Sequence, residues 1–439
     1  MSPLQIGLLA IAGILVLIYS GMHVSIALAL LSFLGVWLIR DSFTVAGKLL
    51  ALTAGDSISN YAFGVVPLFV LMGMFISVSD IGQDMFQVAD RIFRRIKGGL
   101  GVATVAANAV FAAVTGISIA SAAVFTKVAV PEMIKLGYRP RFSVGVVTGS
   151  SVLGMLIPPS LLLILFGVLT ETSIGDLFKA GILPGILLAA AFTCLILFLA
   201  YQYPAYVMDP GRSSQSLERR RMTLWSAIWK LTPIVLLVIL VLGGIYSGWF
   251  TPTESGAVGA LGALLLALGK RRMTWRKLWE VLVETGYVTV SILFLIIAAN
   301  MYARMLAMSG ITGFLGDWIA NSGLGLYGFT FIFIIVVFFM GTILDSSSIL
   351  MIVVPLTLPI MDRMSIDYVW FGLITVVAIE VGLITPPLGI AAYVVKSTLD
   401  DQNISLGDVF SGAFPYVIIM VLVLILLVIF PQISLVLVK

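Results

Sequence analysis

The chain has 439 residues, 60% hydrophobic and only 10% charged, whereas soluble domains carry about a quarter charged residues, so it is not a water-soluble globular protein. At roughly 20 residues per transmembrane helix, its apolar content covers on the order of a dozen spans, and the remaining loops are too short for an independent soluble core. The net charge of +4 does not point to nucleic acid, because the basic residues sit in short loops between apolar runs, where membrane topology accounts for them.

In chain order, the N-terminus lacks the basic region of a signal peptide and its apolar run outlasts one, so residues 4–20 read as a retained first span. A second follows at 22–39, and His23, the only histidine, is an interfacial turn residue between the two. Further spans fall near 62–79, 142–169, 181–203, 231–249, 254–269, 279–299, 368–395 and 413–435. The single cysteine, Cys194, lies inside one of them and excludes an intrachain disulfide and a cysteine metal cluster. The segment 84–97 places Met85, Val88, Ile92 and Ile96 on one helical face with basic residues elsewhere, so it should lie along the membrane interface. Segment 310–323 is its outer counterpart. Two more apolar stretches, 99–136 and 325–361, are interrupted by Thr115-Gly-Ile-Ser-Ile-Ala-Ser121 and Gly341-Thr-Ile-Leu-Asp-Ser-Ser-Ser348. Each reads as a re-entrant helical hairpin, although two full spans would satisfy the charge pattern equally.

Most of the 25 Lys and Arg residues gather in four clusters, at 91–97, 135–141, 212–230 and 270–277, which the positive-inside rule places in the cytoplasm. Clusters on both sides of 99–136 make that stretch enter and leave from the cytoplasm. Few basic residues flank 325–361, which should open to the outside. The loop 396–408, placed inside by this scheme, runs against it with Asp400, Asp401 and Asp408.

The two halves repeat. Ser173-Ile-Gly-Asp-Leu-Phe178 matches Ser405-Leu-Gly-Asp-Val-Phe410, and Gly154-Met-Leu-Ile-Pro-Pro159 matches Gly382-Leu-Ile-Thr-Pro-Pro387. Leu68-Phe-Val-Leu-Met resembles Leu293-Phe-Leu-Ile-Ile, and Val130-Pro131 pairs with Val354-Pro355, all at nearly constant offset. With opposite charge bias on corresponding loops, this is an inverted-topology repeat, the architecture of secondary transporters with sites near the bilayer midplane. The predicted fold is an all-α polytopic membrane protein with two re-entrant hairpins and two broken helices. Its parts are 1–80 (scaffold spans), 81–203 (first repeat, with hairpin 99–136 and broken helix 142–169), 204–278 (basic loop and scaffold spans) and 279–439 (second repeat, with hairpin 325–361 and broken helix 368–395).

A helix that stops inside hydrocarbon leaves N–H and C=O groups unpaired at several kcal/mol each unless protein, water or an ion satisfies them. Two successive prolines remove two donors and free upstream carbonyls, and Ser and Thr hydroxyls add neutral oxygens, a set suited to a small hard cation such as Na⁺. Close packing or simple kinking explains one such break equally well; both kinds of break occurring twice favours ion binding. Ionisable residues near the breaks are costly at depth. They are Asp345, the leading charged ligand, whose alternative role is a helix N-cap; Glu380; and Lys127. Lys127 either snorkels or pairs with Glu380, for which Arg304 is the other possible partner. There is no Walker loop, catalytic carboxylate pair or metal-binding His/Cys spacing, which argues against an enzyme.

On the Gly116-Ile-Ser-Ile-Ala-Ser-Ala-Ala123 tip, Gly154-Met-Leu-Ile-Pro-Pro-Ser160, Ser173-Ile-Gly-Asp-Leu-Phe-Lys-Ala-Gly181 and Ile384-Thr-Pro-Pro-Leu-Gly389, nearly the whole chain resembles the large membrane subunit of tripartite ATP-independent periplasmic (TRAP) transporters. The resemblance implies an elevator-type, Na⁺-coupled symporter in a bacterial inner membrane that imports a small organic acid, with no organic cofactor. It also implies two partners: a small four-helix membrane subunit and a periplasmic substrate-binding protein. By position, one sodium site would involve Gly116, Ser118, Ser121, Ser150, Ser151 and Pro158, and the second Gly341, Thr342, Asp345, Gly382, Thr385 and Pro386. The tip is less glycine-rich than in sialic-acid members, which speaks against that substrate. The alternative is a stand-alone ion-coupled carboxylate carrier or Na⁺/H⁺ antiporter of related repeat architecture.

Overall fold

The structure, a computed structural model, describes residues 1–209, 223–321, 323–399, 401 and 403–438. Most of the basic cluster 212–230, together with Asp400, lies outside the described residues. The described chain is built from helices joined by short turns. Helices α1 (Pro3–Tyr19) and α2 (Val24–Arg40) are the first two predicted spans. Helix α3 (Phe43–Ser59) was not anticipated: Lys48 and Asp56 dilute its apolar pattern, and its clearest signal is Ser42, which caps the Val45 N–H. A 3₁₀ turn leads into α4 (Val65–Val78).

The amphipathic helix α5 (Ile81–Phe93) is shorter than expected. Its buried face carries Ile81, Met85, Phe86, Val88 and Ala89, while Ile92 is exposed and Ile96 lies beyond its end. The chain has to turn there, through Gly98 at φ +74°, to enter the hairpin. That hairpin is α6 (Gly99–Thr115) and α7 (Ser118–Lys135). The next span is broken into α8 (Pro140–Ser151), the single turn α9 (Leu153–Leu156) and α10 (Leu161–Thr170). Helix α11 (Ile174–Gln202) and the short α12 (Pro204–Val207) follow.

Helix α13 (Leu224–Val238) runs through a π turn into α14 (Gly244–Tyr246), and α15 (Pro252–Gly269) leads to α16 (Trp275–Ser309). At 35 residues α16 is about 52 Å long, well beyond the span expected at 279–299. The second half then repeats the first: amphipathic α17 (Ile311–Asn321), hairpin α18 (Gly325–Gly341) and α19 (Ser346–Arg363), a broken span α20 (Tyr368–Leu383) and α21 (Ile390–Thr398), and a long α22 (Leu406–Ile429). Helix α22 starts earlier and stops sooner than the predicted span 413–435, because Pro431 prevents continuation before the short α23 (Gln432–Leu435). The repeated Ser-x-Gly-Asp motif is a helix start in both halves: Ser173 accepts from Asp176 N at 3.2 Å and Ser405 from Asp408 N at 3.1 Å.

The broken span α8–α10 and hairpin helix α19 are the most buried of the long apolar segments, whereas α13 and α15 expose much of their surface. Across the centre, α8 lies so close to α22 that a side chain on Gly145 would run into the Gly412 backbone, and one on Gly149 into the Tyr416 ring. Small residues at such crossings let backbones approach where lipid offers no hydrophobic drive. The two amphipathic arms are tied differently. On α5, Asp84 pairs with Lys230 of α13 at 2.7 Å and with Lys270 after α15, and Asp80, just before α5, pairs with Arg272 at 2.7 Å. Burial pushes the Asp84 carboxyl up, but hydrogen bonds and charge from Lys230 and Lys270 outweigh it and hold it below its ordinary value. On α17, Asp317 pairs with Arg363 at the end of hairpin helix α19.

Candidate functional site

The first hairpin turns at Gly116, which sits at φ +63° and returns its N–H to Ala112 O at 3.1 Å. Its carbonyl accepts the Leu161 N–H at 3.1 Å, the first residue of α10. The tip therefore meets the span at its interruption, with 12 helical residues in α8 on one side and 10 in α10 on the other. A tip that stops halfway along a through-going span is re-entrant, which decides between the two readings of 99–136. The Pro158–Pro159 bond in the interruption is cis.

Fewer carbonyls are free there than two prolines suggest. Leu153 O accepts Ile157 N at 2.9 Å, and Met155 O accepts the Ser160 hydroxyl, which also caps Leu163 N at 3.3 Å. Of the predicted ligands, Ser151 donates to Thr148 O at 2.8 Å, and Ser150 accepts from Asn108 Nδ2 at 2.6 Å. Asn108 was missed in the sequence, where its only signal is a lone amide in a run of small residues. The buried Asn108 Oδ1 and Ser121 Oγ have no hydrogen-bond partner, so this tip presents unused neutral oxygens.

The second tip follows the same plan. Thr342 O accepts Leu388 N at 3.2 Å and Gly389 N at 3.3 Å, just after the cis Pro386–Pro387 bond, so 325–361 is also re-entrant. Gly341 and Gly382 lie backbone to backbone, and a Cβ on Gly341 would come within 2.8 Å of Gly382 Cα. The hydroxyls of Thr342 and Thr385 turn back to Phe339 O (2.8 Å) and Val381 O (2.6 Å). Asp345 caps α19, accepting from Ser348 N at 3.1 Å and from the Ser348 hydroxyl. Its alternative role is thus the one its geometry displays.

The two hairpins converge on Glu380, which is 2% exposed. Ser346, first residue of α19, donates its hydroxyl to Oε1 at 3.3 Å. The side chain of Ser118, first residue of α7, lies beside the same carboxylate, and Oε2 has no hydrogen-bond partner. Neither proposed cation partner is there: Lys127 is exposed, and Arg304 is paired with Asp56 at 2.8 Å on the unanticipated α3.

A cavity of about 450 Å³ separates the second tip from the turn between α1 and α2 and the middle of α16. His23, Ser25, Ser291, Asp345, Ser347 and Ser348 supply its polar lining. By contrast, the gap between the first tip and Phe69 and Val70 of α4 is about 10 Å³. The large cavity has the size and mixed lining of a small-solute site.

A family model described as the DctM component of the tripartite ATP-independent periplasmic transporters matches residues 11–433. The chain is 33% identical over 387 residues to the C4-dicarboxylate TRAP transporter large permease protein DctM of Pseudomonas aeruginosa, covering 88% of each. It is 29% identical over 429 residues to the sialic acid TRAP transporter large permease protein SiaM of Vibrio cholerae, covering 98% of this chain and 97% of that one. Among solved structures, the YdaH transporter of Alcanivorax borkumensis, described as having an unusual topology, shares the fold with a TM-score of 0.61 at 14% identity, over 88% of this chain and 89% of that one.

Proposed function

Because the chain belongs to the DctM-component family of the tripartite ATP-independent periplasmic transporters and is a multi-pass inner-membrane transport protein, we propose that it is the large permease subunit of a Na⁺-coupled importer of small carboxylates. The observation that carries this reading is the pair of re-entrant tips, each hydrogen-bonded into the proline interruption of its own span. Such interruptions at membrane depth bring polar backbone to an enclosed site that both halves share.

Na⁺ fits the residues present at the first tip, where Ser121 Oγ and Asn108 Oδ1 are buried and unpartnered. Gly116, Ser118, Ser121, Ser150, Ser151 and the Pro158 break would hold one ion. Gly341, Thr342, Asp345, Gly382, Thr385 and the Pro386 break would hold another. Bound Na⁺ supplies positive charge that offsets a substrate carboxylate. The cavity beside the second tip takes the substrate: the α19 N-terminus favours an anion, and Ser25, Ser291 and Ser347 supply hydrogen bonds. The substrate class rests on relatives named for C4-dicarboxylates and sialic acid, which share a carboxylate.

Movement is of the elevator type. The hairpins and broken spans, packed backbone to backbone, travel as one body against the frame of α1–α4 and α13–α16, and the arms α5 and α17 take up the displacement. A small four-helix membrane subunit completes the frame, and a periplasmic binding protein delivers the substrate. Reconstitution in proteoliposomes tests the reading. A C4-dicarboxylate should accumulate only with an inward Na⁺ gradient, the small subunit and the loaded binding protein all present. Uptake by this chain alone would instead identify a stand-alone carrier, and uptake undiminished with K⁺ in place of Na⁺ would refute sodium coupling.

A further inference from the structure

Among the described residues Glu380 is the carboxylate at which both hairpins meet, and neither the fold nor the predicted sodium sites give it a task. A buried carboxylate at membrane depth is costly unless its charge is met. Part of that requirement is satisfied by the hydrogen bond from Ser346 and by the N-terminal ends of α7 and α19, whose dipoles favour negative charge, with Ser118 at the start of α7 beside the carboxylate. It is incomplete, because Oε2 has no hydrogen-bond partner and no ion pair to Glu380 occurs among the described residues. Asp345 is in the opposite situation, with its carboxylate engaged by Ser348 and lining an open cavity.

We infer that Glu380 is a cation ligand shared by the two hairpins: a coupling Na⁺ binds at Oε2, and its occupancy ties Ser118 of the first hairpin to Ser346 of the second. This rests on the sodium-coupled reading above and adds to it a charged ligand outside either tip. One hard cation against an otherwise unmet carboxylate oxygen, surrounded by hydroxyls, completes the site without any protein cation. Because α7 and α19 belong to different repeats, ion binding there joins the repeats in a way that neither tip achieves alone.

The test is the melting temperature of the purified protein titrated with NaCl, with choline chloride holding ionic strength constant. The wild type should be stabilised specifically by Na⁺. Glu380→Gln should lose that stabilisation or require at least ~10-fold more Na⁺ for half-effect, as expected when a charged ligand is replaced by a neutral one. Asp345→Asn should shift the half-effect less. Should Glu380→Gln not fold, Ser346→Ala keeps the carboxylate, lies outside both tip sites and should weaken the Na⁺ response; an unchanged response overturns the inference. A wild type that responds to Na⁺ together with a Glu380→Gln variant that responds equally sinks the role of Glu380 alone. A wild type with no Na⁺-specific response sinks the sodium reading and this inference with it.

Discussion

The two hairpin tips solve the same bonding problem in unlike surroundings. At the first, Gly116 O binds the span through Leu161 N, the side chains on offer are neutral, and almost no space remains against α4. At the second, Thr342 O plays the equivalent part, but an aspartate caps the returning helix and the tip faces a cavity of about 450 Å³. The arms differ in the same sense: α5 is bound by ion pairs to α13 and the end of α15, whereas α17 is bound to its own hairpin through Arg363. A repeat of the backbone plan thus leaves one tip closed and the other open, and the difference lies in side chains and neighbours.

Four comparisons between variants can break or sharpen this contrast. The largest effect is expected from Gly116→Ala, which combines a left-handed backbone with overlap on the Pro159 carbonyl; thermal unfolding should show a loss of about 3 kcal/mol. Gly341→Ala meets Gly382 Cα without a positive φ and should lose less, about 2 kcal/mol; the reverse order would mean that the open tip is the more rigid. Next, Ser150→Ala leaves the Asn108 amide without its acceptor and should lower stability by about 1–3 kcal/mol. Thr385→Ala removes only a hydroxyl turned back on its own helix and should have a smaller effect.

Asp345→Ala removes a cap and should lower stability by about 1 kcal/mol along with uptake. Asp345→Asn keeps both the cap and an oxygen ligand, so it should restore both readouts; restored stability without uptake would show that the negative charge itself is needed. The last comparison concerns the arm. Asp84→Asn should lower stability by about 1 kcal/mol at neutral pH. The folded Asp84 carboxyl lies below its ordinary value, so its contribution is complete above that value and lost as pH falls below it. The gap between variant and wild type should therefore close in acid, as melting curves at neutral pH and near pH 3 would show.

Much of this architecture was legible in the chain. Apolar run lengths gave most spans, the paired Ser-x-Gly-Asp motifs gave two helix starts, and the Gly/Ser and Pro-Pro interruptions gave four breaks. Less legible was α3, whose Lys48 and Asp56 hide it from a hydropathy reading although Asp56 serves to pair Arg304. The candidate ligands divided in the same way. The serines and glycines of the tips stand out by their pattern, whereas Asn108 has no repeat partner to announce it. Asp345 drew the functional reading because it stands at a tip, yet its geometry is that of a cap.

The sequence by itself determined that this chain crosses a membrane many times, that its halves repeat, and where its helices must stop, because those properties follow from local hydropathy and from residues that donate or withhold a backbone hydrogen bond. Only the tertiary structure decided that the stretches 99–136 and 325–361 are re-entrant, since that depends on the tips meeting the middle of distant spans. It also decided that Glu380, rather than Asp345, is where the hairpins meet. Ser118, Ser346 and Glu380 are far apart in the chain, and packing alone brings them to one carboxylate.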